Sequence, residues 1–82
     1  MSMQENIRQV GQAESFIIRS LRARHPQTDH VLRDKIKRRG IDIANGLVAI
    51  SELWADGKIR GVSGDKGYNM FPGSDKKPQK TT

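Results

Sequence analysis

The stretch that most limits the fold of this chain runs from Ile43 to Phe71, where a helical period gives way abruptly to glycine-punctuated β-type runs. Ile43, Leu47, Ile50 and Trp54 recur at i, i+4, i+7 and i+11, the spacing of one apolar face of a helix. Asp42 can cap that helix and Asp56-Gly57 ends it. Lys58-Ile59-Arg60-Gly61-Val62 and Tyr68-Asn69-Met70-Phe71 then read as two short strands. The connection Ser63-Gly64-Asp65-Lys66-Gly67 carries the glycines that a hairpin turn needs. Any fold must therefore place a helix and a hairpin side by side with almost no linker between them.

Upstream, residues 12–24 read as a helix with Ile17, Ile18 and Leu21 on one face, and Ile7 and Val10 extend that stripe backwards. Gly11 interrupts it. Residues 1–11 are thus an N-terminal extension that is a frayed start, a separate turn or part of one continuous helix with residues 12–24. Phe16 lies off the stripe, to be covered by a second element or left for a partner. Pro26 ends the helix, because the residue before a proline is steered away from the helical region. A second helix over 29–39 has Thr28 or Asp29 as its cap, Val31, Leu32 and Ile36 as its apolar face, and Gly40 as its stop. Its outer face carries His30, Arg33 and Lys37, and Arg38 and Arg39 in the last turn also complement the helix dipole. The predicted elements are helices at 12–24, 29–39 and 43–55 and a hairpin at 58–62 and 68–71. Residues 73–82 hold no apolar side chain and are expected to form a disordered basic tail.

Composition bounds the function. Eighty-two residues make one domain with a small core, since such a chain buries only about 60% of its unfolded surface. The absence of cysteine removes disulfides and thiolate zinc sites, and His25 and His30 alone do not close a metal site, so neither metal nor cofactor is expected. No apolar run approaches the roughly 18 residues of a membrane span. The first residues, with Glu5 and Arg8, lack the apolar region of a secretory signal, and a cytoplasmic location is expected. No nucleophile stands beside a base, no carboxylates pair on one face and no phosphate-cradling loop follows a strand, which argues against an enzyme and a small-molecule substrate. The net charge of +6, spread along the chain, points to a polyanion.

Three helices, the last two joined by a short turn, followed by a glycine-rich hairpin, resemble the winged helix-turn-helix family over residues 12–72. The most specific part is the run Leu53-Trp54-Ala55-Asp56-Gly57-Lys58-Ile59, answered by Gly67-Tyr68-Asn69-Met70-Phe71-Pro72. In such folds the glycine turns the chain out of the helix, the isoleucine pins the first wing strand to the core, and the returning aromatic packs back over it. The resemblance implies a mainly α fold with a small β-hairpin. It also implies double-stranded DNA as partner, with the third helix in the major groove and the wing on the backbone.

With Ile43, Leu47, Ile50 and Trp54 turned inward, the outward face of that helix is expected to show Asn45, Val48, Ala49 and Glu52. No Arg or Lys falls between Gly40 and Gly57. Asn45 could read adenine, Val48 or Ala49 could touch a thymine methyl, and Glu52 could accept from cytosine. Phosphate contacts are expected from His30, Arg33 and Lys37 on the second helix and from Lys58, Arg60, Lys66 and Tyr68 in the wing. Transcriptional regulation is the expected use. A homodimer through the N-terminal segment would double a weak half-site. The alternatives are a winged-helix adaptor that contacts protein through Val48, Ala49 and Glu52, or an accessory factor of replication or recombination.

Overall fold

The computed structural model describes residues 2–73. Its elements in chain order are α1 (Met3–Ala23), β1 (Gln27–Thr28), α2 (Asp29–Arg38), α3 (Ile43–Ala55), β2 (Ile59–Gly64) and β3 (Gly67–Pro72). The expected tail lies, from residue 74 onward, outside the described residues. Three helices with a small three-stranded antiparallel sheet form a layout compatible with a winged helix.

The first helix is one continuous rod that passes through Gly11. It starts earlier than residue 12 because Ser2 caps it: the Ser2 hydroxyl accepts from the Glu5 backbone N–H at 3.1 Å. Thr28 and Asp42 do the same for α2 and α3, accepting from the N–H groups of Val31 and Ala44. Strand β1 is absent from the sequence reading. It follows Pro26 and ends in the residue that caps α2, and two residues are too short to show any alternation. It pairs with β3, Gln27 opposite Met70, and gives the sheet the order β1-β3-β2.

The hairpin is longer than the sequence suggests, with Gly64 facing Gly67 and only Asp65-Lys66 in the loop. Gly67 has a φ of +108°, which a residue with a Cβ rarely adopts.

Ala13, Ile17 and Leu21 of α1, Leu32 and Ile36 of α2, Ala49, Ile50 and Leu53 of α3, Ile41, Ile59 and Met70 close one core. Fully burying a large aliphatic side chain is worth about 1.5–3 kcal/mol, so this cluster supplies most of the driving force. Gln27 is buried among them with its amide engaged at both ends. Its Nε2 donates to Ser20 Oγ and to the carbonyls of Ser20 and Arg24, and its Oε1 accepts from Lys35 Nζ at 2.6 Å. One amide thus ties the end of α1 to β1 and α2.

The apolar stripes correct the sequence reading. On α3 the buried set is Asn45, Gly46, Ala49, Ile50 and Leu53, whereas Leu47 and Trp54, expected inside, are 43% and 37% exposed. The helix is rolled so that its small residues face its neighbours. A Cβ on Gly46 would stand 2.8 Å from Ile36 Cγ2, so α2 and α3 approach as closely as a glycine allows. Counting large apolar residues finds a period but misses where small residues let helices touch. Ile7 and Val31, both placed on apolar faces, are exposed as well.

Candidate functional site

The outward surface of α3 is set by this roll. Opposite the buried set lie Ala44, Leu47, Val48, Ser51 and Ala55, all exposed. Trp54 and Glu52 stand at the margins. Two of the four expected reading residues are therefore misplaced. Asn45 turns inward, its Nδ2 donating to Asn6 Oδ1 at 3.1 Å and to Gln9 Oε1 at 3.0 Å on α1. Gln9 Oε1 also accepts from the Asp42 backbone N–H, so these groups lash the start of α3 to α1. Ala49 is fully buried. Val48 and Glu52 remain accessible along a groove between α1 and α3 that Met3, Ile7 and Val10 also line.

The residues that sequence reasoning missed are Leu47 and Ser51, while Ala44 and Ala55, expected at the margin of that face, lie on it. The small side chains of Gly46 and Ala49 were the signal that could have set the phase, because a close helix contact favours such residues over bulky ones.

The basic residues divide into two groups. Asp29, at the start of α2, is the hub of the first. Its Oδ2 meets Arg33 Nη2 at 3.4 Å and its Oδ1 accepts from the Tyr68 backbone N–H at 3.3 Å. One carboxylate therefore brings Arg33 and Tyr68 together at the junction of α2 and the hairpin. Exposed His30 adjoins it in sequence, Lys37 lies one turn beyond Arg33, and Lys66 occupies the hairpin tip. The Tyr68 ring packs edge-on against Trp54 and Arg33 is tied to Asp29, so both side chains also have structural work.

Arg60 and Lys58 do not join that group. Strand alternation puts Arg60 beside Phe71 on the sheet face away from Ile59 and Met70, and its guanidinium carbon lies 4.8 Å from the Phe71 ring centroid. Lys58 sits where α3 passes into β2, and its charge acts on Glu14 of α1. Glu14 faces Glu52 across the groove. Burial first, and then the hydrogen bond and charge of Glu52, push the Glu14 carboxyl above its ordinary value.

Among the described residues no three His, Asp or Glu side chains stand close enough to hold a metal, and no helix is long and apolar enough to cross a membrane. What the arrangement offers chemically is a cation-free, largely apolar helix face flanked on one side by basic groups. Compared with family models, curated proteins and solved structures, the chain matches none.

Proposed function

We propose that this chain is a winged-helix domain that binds double-stranded DNA, with α3 as the groove-facing helix and the β2–β3 hairpin as the wing. The observation that carries this is the joining of α2 to α3 through four residues beside a sheet of order β1-β3-β2, on a chain of net charge +6. Phosphate grip comes from Arg33 and Tyr68, both in contact with Asp29, together with His30 and Lys37 on α2 and Lys66 at the hairpin tip. Sequence reading falls to Leu47 and Val48 against thymine methyls and to the Ser51 hydroxyl, a set that makes apolar contacts and few hydrogen bonds. Such a set gives a weak preference for A/T-containing sites. The biological use is transcriptional regulation by occupancy, without catalysis.

A protein partner for the same face is the second reading, favoured by one observation. Leu47 and Val48 are 43% and 45% exposed, and the half-exposed Trp54 continues their row onto Tyr68 of the wing.

Salt dependence separates the two. Anisotropy of a labelled random duplex should show affinity falling steeply with salt, with a log–log slope of about −3 if three to four phosphates are neutralised. A flat salt response, or no binding at low salt, sinks the DNA reading and leaves the protein partner.

A further inference from the structure

We propose that a second site, distinct from the α3 face, binds an oxyanion of the phosphate class in the concavity between α1 and the α2–α3 connection. Gln12, Ser15, Phe16 and Arg19 of α1 line it, with Arg39 and Ile41 from the connection. Gln12, Ser15 and Arg19 are exposed, away from the helix face that buries Ala13, Ile17 and Leu21, while Phe16 is partly buried against the edge of the core.

Two features give this concavity its character. The first is a guanidinium already held in place: Arg39 comes directly after the last turn of α2, and its Cζ lies 4.2 Å from the Phe16 ring centroid. Stacking on a ring fixes the plane of the fork, so less side-chain freedom is lost when an anion arrives. It also answers why Phe16 lies off the stripe: the ring is the platform for that arginine.

The second feature is uncompensated charge. Arg33 and Arg38 of α2 are each paired with a carboxylate four residues earlier, Asp29 and Asp34. Among the described residues neither Arg19 nor Arg39 has a carboxylate within ion-pair distance, and no Asp or Glu lines the concavity. Two arginine forks, a serine hydroxyl and a glutamine amide line the same concavity and form a donor set without a carboxylate to occupy it. Tetrahedral oxyanions match it, because guanidinium groups meet phosphate oxygens two at a time. The space, about 500 Å³ and open to solvent, takes either a free phosphate or a phosphodiester.

The test is an NMR titration of the full chain with inorganic phosphate, holding ionic strength constant with chloride. Saturable shifts are expected at the Arg19 and Arg39 side-chain N–H groups and at the Ser15 amide. Arg39→Gln should weaken binding about tenfold or more, the usual consequence of losing one charge-assisted contact. Ser15→Leu is the sharper variant, since it keeps every charge, sits at an exposed helical position and fills the concavity. It should remove the saturable shifts while the rest of the spectrum stays dispersed. If Ser15→Leu titrates like the parent, or if the parent shifts are linear and unchanged in Arg39→Gln, attraction is diffuse and the site does not exist. A duplex arm assigns the source. Weaker duplex binding by Ser15→Leu identifies a nucleic-acid phosphodiester, and unchanged duplex binding identifies a free phosphate. Val48→Glu, on the α3 face, should leave the inorganic phosphate titration untouched, so failure of the DNA reading and failure of this one are read separately.

Discussion

The rings of Trp54 and Tyr68 meet edge to face, with 5.1 Å between centroids and 83° between planes. The contact joins the last turn of α3 to the first residues of β3. Trp54 also lies over Gly61, where a Cβ would come within 2.7 Å of its Cη2 atom. With the Tyr68 N–H held by Asp29, this makes one joint among α2, α3 and the hairpin.

Because that ring is only partly buried, Trp54→Ala should cost about 2 kcal/mol, below the roughly 3–5 kcal/mol typical of a core tryptophan. The loss should fall on the hairpin. Urea unfolding measures the cost, and hydrogen exchange at Gly61 and Tyr68 should quicken while the helices stay protected. A loss above about 4 kcal/mol would place the ring in the core after all.

Gly46→Ala should destabilise the domain although alanine favours helix by about 1 kcal/mol. The new methyl meets Cγ2 of Ile36, a β-branched side chain that is fully buried and has nowhere to swing. Overpacking typically costs about 1–3 kcal/mol, and net destabilisation of about 1 kcal/mol is expected. In an Ile36→Ala background the same substitution should cease to be harmful. A double-mutant cycle showing no coupling between the two sites would contradict the close approach of α2 and α3.

The Glu14–Glu52 pair makes stability depend on pH in a stated direction. The folded chain holds the Glu14 proton more tightly than the unfolded chain, whose carboxyl has the ordinary value of 4.5. The associated stabilisation is complete below that value and is lost as pH rises through the raised folded one. Glu14→Gln should therefore raise the melting temperature at about pH 7 and leave it unchanged near pH 3. An equal gain at both pH values would trace the effect to packing rather than ionisation.

The elements were legible in the sequence where punctuation is local. Asp42, Asp56-Gly57 and Gly67 mark α3 and the hairpin, and those boundaries lie within two residues of the observed ones. The face of α3 was legible only in part: Ile50 is buried as its stripe implies, but Leu47 and Trp54, which satisfy the same helical period, are exposed. Asn45, Gly46 and Ala49 win the buried side through a hydrogen-bonded amide, one close helix contact and a small buried methyl, and none of these stands out as strongly apolar. The basic groups were identifiable as types but not by place. Arg60 was expected beside α3, yet strand alternation carries it to the far side of the sheet.

That division of the basic groups gives the last prediction. Lys37→Gln and Lys66→Gln should each reduce the log–log salt slope of duplex binding by about 0.9, whereas Arg60→Gln and Lys58→Gln should leave it unaltered. On the α3 face, Leu47→Glu and Val48→Glu change exposed positions, so stability should move by no more than about 0.5 kcal/mol. Each places a carboxylate where the groove would lie, and like-charge repulsion there should weaken duplex binding about tenfold or more. Asn45→Ala should instead lower stability, because it unties α3 from Gln9 and Asn6, and should leave sequence preference alone. If duplex affinity responds to Arg60 and Lys58 but not to Lys37 or the α3 carboxylates, DNA lies against the outer sheet face. The Leu47–Trp54 row would then belong to a protein partner.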